Sequence, residues 1–458
     1  MSEVVEQTSA SWPLVLVSDV SELIRGVTYS KEHATDKPQD GYMPVLRATN
    51  IQESRLVLES DLVFVPDSNV SANQRLRAGD IVVATSSGSK HLVGKSGLVH
   101  KDWPGSFGAF CAAIRPKSNI ESRYLAAFLQ SPSYWKQVGK KALGVNINNL
   151  RRGDIESLTL PLPPLAKQRE IVAELEKQFS RLDEAVANLQ RVKANLKRYK
   201  ASVLKAAVEG RLVETEATQA RREGRTYETG EQLLQRILEE RRAKWAGRGK
   251  WKAPEAPTVE TTLPEGWTWA SVDQLADVGT GATPKRDKAA YWNDGDVPWV
   301  TSSVVNGDYV DQASEFVTKL ALAETNLTLY PIGTLLIAMY GEGKTRGKCT
   351  ELRIPASTNQ ALAALQVDSS IRGYLRHFLE LNYEEMRKVA SGGVQPNLNL
   401  SLVRAVCVPL PPLPEQVRIV AEVDRHLSII REVEAEVDAN LQRAQALRQA
   451  TLQKVFQP

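Results

Sequence analysis

The chain has 458 residues, enough for two to three domains of ordinary size. Its 42% apolar and 24% charged content suits a globular protein, no apolar run approaches the roughly 18–20 residues of a membrane span, and a net charge of +4 is too small to announce a polyanionic partner. Three scattered cysteines (Cys111, Cys349, Cys407) and five scattered histidines offer neither a disulfide framework nor metal-ligand spacing, and the acidic start MSEVVEQTSASWP lacks the apolar core of a secretory signal, so a reducing, cytoplasmic setting is expected.

In chain order, residues 1–160 read as a mixed α/β domain. The β-branched run IVVAT at 81–85 is bounded as strands are, residues 124–130 form a short helix, and LTLPLPPL ends the domain in extended geometry, because proline removes amide donors. PLPPLAKQREIVAEL (161–175) then opens a helix spanning 161–210. Along it Leu175, Phe179, Leu182, Val186, Leu189, Leu196, Tyr199 and Val203 recur at spacings of three, four and seven, as in a heptad seam. Residues 211–262 read as a polar connector with one short helix at 231–244 and a Pro/Lys/Glu linker at 247–262. LPEGW at 263 begins a second α/β domain, 263–408, with a strand at 334–338 (TLLIA) and a helix at 374–381. PLPPLPEQVRIVAEV (409–423) opens a second helix, 409–458, with its own seam of Val423, Leu427, Ile430, Val437, Leu441 and Ala444. A seam only two positions wide per heptad prefers a partner helix, so the two helices are expected to pair with each other.

The second half repeats the first. Trp12 and Trp267 each precede a Gly-x-Thr (Gly26-Val-Thr28, Gly281-Ala-Thr283) by the same distance. GYMPVL answers GDVPWV, AGDIVVA answers IGTLLIA, SSGSKHLVGK answers YGEGKTRGK, and GVNINN answers GVQPNLN, in the same order. Such matches in register mean two copies of one domain. By charge, residues 1–158 carry about +2 and residues 265–408 about −3, which leaves the positive excess on the helical segments.

This layout resembles the specificity subunit of type I restriction–modification enzymes. The resemblance rests on the two PLPPL-x-x-Q-x-x-IVAE entries, LPEGWTW at 263 and GEQLLQRILEERRAKW at 230, and in the first copy on LIRGVTYSK, SSGSKHLVGKS and GSFGAFC. It implies an α/β (α+β) fold: two target-recognition domains separated by two long helices that pair as an antiparallel coiled coil with pseudo-two-fold symmetry. It further implies double-stranded DNA, two methyltransferase subunits and two restriction/translocase subunits as partners. S-adenosylmethionine, ATP and Mg2+ would be bound by those partners, with no cofactor and no chemistry in this chain. Since the two domains differ, the DNA site should be bipartite and asymmetric, with the helices as a ruler across an unread spacer.

Base reading needs Arg or Lys for guanine, Asn or Gln for adenine, and Ser or Thr as adaptable donors. In the first copy the paired loops offer Arg25, Thr28, Tyr29, Lys31, Arg47, Asn50, Ser87, Ser89, Lys90, His91 and Lys95, with Asn146 and Asn148 late in the domain. In the second they offer Thr283, Lys285, Arg286, Ser302, Ser303, Tyr340, Lys344, Arg346 and Lys348, with Gln395 and Asn397. Gly26, Gly88, Gly341 and Gly343 are expected to set turns. AMYGEGKT (338–345) fits a relaxed phosphate-loop pattern, but TRGKCTELRIPAST follows it and reads as turn and strand, where a phosphate loop needs a helix. No methyltransferase Pro-Pro-aromatic motif and no Pro-Asp nuclease motif with its partners is found. The alternatives are a coiled-coil scaffold that reads no DNA and an orphan specificity subunit without active partners.

Overall fold

The structure, a computed structural model, describes residues 12–52, 54–87, 92–141, 149–245, 251–259, 261–340, 345–391 and 397–457. They fall into two units, one drawn from Met1–Val192 and Glu436–Pro458, the other from Lys193–Ala435. Each unit therefore holds one α/β domain and part of each long helix. The order of segments follows the linear reading; their grouping follows the way the helices pair.

The first unit closes its domain with a two-stranded antiparallel ribbon, Leu14–Leu16 against Thr159–Pro161. Behind it lies an antiparallel sheet in the order Ser21–Arg25, Cys111–Pro116, Ile81–Ala84, Ser96–Leu98. A second sheet pairs Tyr42–Leu46 antiparallel with Val63–Pro66 and parallel with Ser106–Phe107. The second unit repeats these three sheets. Thr268–Ser271 pairs with Cys407–Leu410. The larger sheet runs Ala276–Thr280, Leu362–Val367, Leu335–Ala338, Cys349–Leu352, with Tyr309–Val310 added at the edge. Val297–Val300 pairs antiparallel with Glu315–Val317 and parallel with Ser357–Thr358. The expected duplication is thus present in strand order and in strand direction.

Side-chain alternation explains why the central strand of each copy is apolar throughout. Ile81 and Val83 enter one core, with Tyr124, Leu125 and Phe128, while Val82 and Ala84 enter another, with Leu46 and Phe107. Leu335 and Ile337 are likewise divided from Leu336 and Ala338. The strands cover Ile81–Ala84 and Leu335–Ala338, close to the expected bounds, while the helices Ser122–Phe128 and Ser369–Leu381 begin two and five residues earlier than expected.

Gly26 and Gly281 serve a purpose other than the turn expected of Gly26. Val27 donates its amide to Phe107 at 2.8 Å and Ala282 donates to Thr358 at 3.0 Å, so the chain crosses tightly under the short parallel strand in both copies. A Cβ on Gly26 would overlap the carbonyl of Gly108, and one on Gly281 that of Thr358. This close approach accounts for the glycine of the repeated Gly-x-Thr.

Each proline segment hands over to a helix of 44 residues, Leu165–Val208 and Leu413–Phe456. Side chains help to hold the handover by donating to carbonyls of the proline segment. Tyr124 Oη donates to the Pro161 carbonyl at 2.9 Å and Tyr374 Oη to that of Pro409 at 2.6 Å. Gln168 and Gln416, the glutamines of PLPPL-x-x-Q, are buried, and each Nε2 donates to a proline carbonyl (Pro163, Pro411) at 2.8 Å.

Within each unit the long helices run antiparallel. In the first, Ile171, Val172 and Leu175 share a core with Leu452, Val455 and Phe456, and Asp183 pairs with Arg448 at 2.6 Å. In the second, Val203 and Leu204 share a core with Val423 and Leu427, and Tyr199 Oη meets His426 Nδ1 at 2.9 Å. The helix pairing expected from the seams is present in both, although Leu182, Val186, Leu189, Leu441 and Ala444 are only half-buried.

The connector departs from its reading as a polar link. It forms two helices, Glu216–Glu223 and Gly230–Ala243, and the second buries Leu233, Leu234 and Ile237 against Trp267 and Val272. The apolar stripe at helical spacing was masked by Glu, Gln and Arg on the other faces. Fully buried Glu216 forms ion pairs with Arg225 (2.6 Å) and Arg418 (2.8 Å). Burial opposes its charge, but the two guanidiniums outweigh that and hold its carboxyl below the usual range.

Two glycine substitutions test the crossing. Gly281→Ala should destabilise the protein by about 1–3 kcal/mol, because backbone must move to admit the methyl group. Gly139→Ala, in the helix Pro132–Lys141 with nothing within 4 Å of the new Cβ, should be neutral or stabilising by up to about 1 kcal/mol. Thermal unfolding of the two variants measures the contrast.

Candidate functional site

The loops that carry most of the candidate residues spring from the ends of the central strands, and their roots are tied identically in the two copies. Gly94 donates its amide to the Ala84 carbonyl and Gly347 to that of Ala338, each at 2.8 Å. Leu150 donates to Thr85 at 2.7 Å, and Leu398 to Met339 at 3.0 Å. The segment after GVNINN is thereby fixed against the hairpin loop, and Asn149 forms a β-bridge with Ser86.

In the first unit these loops surround a cleft of about 630 Å³. Its walls carry Arg25, Thr85, Ser86, Phe110, Asn149, Arg151 and Arg152. Arg25, Arg151 and Arg152 are exposed, and Phe110 is 69% exposed. Thr28 is exposed. Tyr29 is half-buried near Gly108, and burial raises its phenol above the ordinary value. Lys31 begins the short turn of helix Lys31–His33. Ser87 is half-buried at the root of the hairpin loop.

Two candidates of this copy hold the protein itself. Asn50 is fully buried. Its Nδ2 donates to the carbonyls of Val57 (3.1 Å) and Ser60 (2.8 Å), and its Oδ1 accepts the amide of Arg47 at 2.8 Å. Its amide is spent on closing the 47–61 loop, which removes it from the candidate readers. Arg47 forms an ion pair with Asp61, whose backbone carbonyl it also binds at 3.0 Å, and Thr49 Oγ1 donates to the same carboxylate at 2.7 Å. Lys95 lines a separate groove with Arg55, Trp135, Leu182 and Asp183, facing the long helices and not the cleft of Arg25.

In the second unit Thr283 Oγ1 donates to Gln360 at 2.7 Å, and Lys285 is exposed. Arg286 pairs with Glu315 and lies over the ring of Trp292 at 3.9 Å, so its guanidinium is stacked and neutralised locally. Ser302 and Ser303 sit in the short helix Ser302–Asn306, whose Asn306 accepts from Lys348 Nζ at 3.0 Å, which brings these three candidates together. Tyr340 is 41% exposed. Arg346 has a buried Nε with no partner among the described residues. Asn397 is half-buried. Ser89, Lys90, His91, Asn146, Asn148, Lys344 and Gln395 lie outside the described residues, as do Gly88, Gly341 and Gly343.

Phe110, Thr85, Ser86, Asn149, Arg151 and Arg152 were not among the expected residues. Comparing the two copies favours positions that match in both, and Arg151–Arg152 corresponds in sequence to Asn399–Leu400 of the second copy. The available signal was the Arg doublet one residue after GVNINN.

Several chemistries find no support in this geometry. The strand Leu335–Ala338 pairs antiparallel with Cys349–Leu352, and among the described residues between them no helix is present to receive a phosphate. Burial pushes the thiols of Cys111 and Cys349 up to about 12, opposite to the need of a nucleophile. Among the described residues, no group of three or more His, Cys, Asp or Glu side chains is placed to hold a metal ion. Among the described residues, no helix is long and apolar enough to cross a membrane.

Residues 10–197 and 264–442 match the family described as type I restriction modification DNA specificity domain. The chain is 29% identical to the type I restriction enzyme EcoKI specificity subunit of Escherichia coli K12 over 97% of this chain and 88% of that protein. It is 39% identical to the StySPI specificity subunit of Salmonella potsdam over 44% of this chain and 43% of that one. Among solved structures, a chain from a study of complex assembly and conformational transition of the type I R-M system superposes with a TM-score of 0.66 at 20% identity, covering 97% of both chains. The HsdS subunit from Thermoanaerobacter tengcongensis superposes at 0.53 and 19% identity, covering 100% of this chain and 99% of that one.

In each unit the loop roots are fixed and the loop surfaces differ. Asn50→Ala should cost about 1–3 kcal/mol, since buried backbone groups lose their partners. Thermal melting measures it, and a melt unchanged from the wild type would return Asn50 to the surface-facing candidates.

Proposed function

The chain belongs to the type I restriction modification DNA specificity family and is a specificity subunit that recognises DNA sequence. From that premise we propose that it reads a bipartite, asymmetric site and positions two adenine-N6 methyltransferase subunits, and two motor-nuclease subunits where present, without performing chemistry itself. In this reading S-adenosylmethionine, ATP and Mg2+ are bound by those partners, and the complex works in the cytoplasm.

The observation that carries this reading is the duplication with divergent loops. Two domains share strand order, strand direction and loop-root hydrogen bonds, yet one presents an arginine-lined cleft and the other a stacked Arg286 with a Lys348–Asn306 pair. Shared scaffolds fit two sites on one kind of ligand, and different surfaces fit two different half-sites. Duplex DNA supports such reading, because its phosphates attract any basic surface while base edges in the grooves discriminate. Phosphate contacts from exposed Arg25, Arg151 and Lys285 would weaken with salt, and base contacts would set the letters. The long helices carry the chain from one copy to the other, which makes their length a determinant of the unread spacer.

A genome-wide adenine-methylation map with and without this gene tests the reading. Loss of a single two-part motif is the expected result; an unchanged map would favour a scaffold or an orphan subunit. Exchange of residues 1–158 for another recognition domain should alter one half-site and leave the other. Insertion of four residues at Asn188 adds about 6 Å of helix at 1.5 Å per residue, a little under two steps of about 3.4 Å. The mapped spacer should lengthen by about one base pair with both half-sites kept, and altered half-site letters would sink the ruler.

A further inference from the structure

The two copies each expose one aromatic ring at the same place, but from different chain segments. Ala84 and Ala338 are structurally equivalent, since each accepts the amide of the corresponding glycine. It follows that Ser86 corresponds to Tyr340. Thr85 donates its amide to the carbonyl of Phe110 at 2.8 Å, and Met339 donates to that of Ala361 at 2.8 Å, so Phe110 corresponds to Ala361. At this spot the first unit has Ser86 and Phe110, and the second has Tyr340 and Ala361. One small residue and one ring occur in each, with the ring moved across the hydrogen bond.

Both rings project outward. Phe110 is 69% exposed and Tyr340 41% exposed. A single exposed ring on a surface is unremarkable. Two rings at equivalent points, supplied by non-equivalent residues, are not explained by scatter or by a shared core. Phe110 stands at the tip of a tight turn in which Cys111 donates to the Gly108 carbonyl at 2.8 Å, next to Ala109. Small neighbours leave the ring free to advance as a wedge, and Arg25, Arg151 and Arg152 share the cleft it borders. An apolar wedge flanked by cations is the arrangement by which proteins unstack a base step while holding the phosphates on either side.

We propose that Phe110 and Tyr340 are specificity-determining wedges, each inserting at one base-pair step within the half-site read by its own domain. Discrimination then comes partly from how easily that step unstacks, with pyrimidine–purine steps favoured. The proposal rests on the DNA-recognition reading and adds a residue and a mode of readout to it.

The experiment uses the chain assembled with its methyltransferase subunit and a synthetic duplex carrying the site mapped for the wild type. 2-Aminopurine replaces, one at a time, each adenine other than the methylated one. With wild type, fluorescence should rise at one position per half-site on binding. With Phe110→Ala the rise should vanish in one half-site and persist in the other, and affinity for the specific duplex should fall roughly tenfold or more. Affinity for non-specific DNA should be unchanged, and Phe110→Leu, which keeps an apolar wedge, should restore part of the signal. Tyr340→Ala should do the same in the opposite half-site. A Phe110→Ala complex that keeps both signals and its specific affinity overturns the proposal, as does an equal loss on specific and non-specific DNA. A wild-type complex with no preferred sequence would instead overturn the DNA-recognition reading beneath it.

Discussion

The hydrogen bond from a buried glutamine amide to a proline carbonyl is the constraint on which the architecture depends. In PLPPL the prolines have no amide to offer a sheet partner, and two carbonyls of each segment are met by side chains. Gln168 meets Pro163 and Gln416 meets Pro411, while Tyr124 and Tyr374 meet Pro161 and Pro409. A buried carbonyl left without a partner costs about 1–3 kcal/mol. Satisfying both in each copy sets the direction in which each 44-residue helix leaves its own domain. Gln168 does more: its Oε1 accepts the Glu121 amide at 2.8 Å, which ties the helix start to the loop before Ser122–Phe128. The motif that opens each helix is a joint, and its repetition follows from having two domains to join.

The same corner also shows how the copies diverged. Lys167 of the first copy stands where Glu415 stands in the second. Lys167 pairs with Glu170 on its own helix at 3.0 Å. Glu415 instead accepts the Glu216 amide at 2.8 Å and the Trp267 indole at 3.1 Å, and burial pushes its carboxyl up from the ordinary value. The acidic residue thus clasps the connector to LPEGW and to the second helix. Glu216, one bond further along, is buried and held by Arg225 and Arg418. Two carboxylates at one junction are tolerated because one is paid for by guanidiniums and the other by neutral donors. The connector is built into the second unit by this network and by Leu233, Leu234 and Ile237.

What the sequence disclosed and what it hid separate along physical lines. Strands, helix entries and the duplication were legible because they depend on periodicity and on proline and glycine, whose effects are local. Gly26 and Gly281 were visible as a pattern, but their reason, a crossing strand too close for a Cβ, involves residues about 80 positions away. The roles of Asn50 and Arg286 were hidden because an amide or guanidinium that holds the protein and one that reads a base are the same chemical group. Only burial against Val57 and Ser60, or stacking on Trp292, distinguishes them. Phe110 escaped attention because an aromatic in a β-rich segment is ordinarily core.

Divergent reading from a common frame requires that loops vary without moving their roots. Backbone bonds supply this. Gly94 to Ala84, Leu150 to Thr85 and Thr85 to Phe110 recur as Gly347 to Ala338, Leu398 to Met339 and Met339 to Ala361. None of these bonds involves a side chain, so substitutions between the roots leave the frame intact. The central strand, buried on both faces, anchors them from beneath. A ring can therefore move from one side of such a bond to the other, as between Phe110 and Tyr340, while the cleft around it keeps its backbone. Specificity can change by side-chain replacement alone, and a joint rebuilt from Gln, Tyr and Pro keeps each new surface in the same relation to its helix.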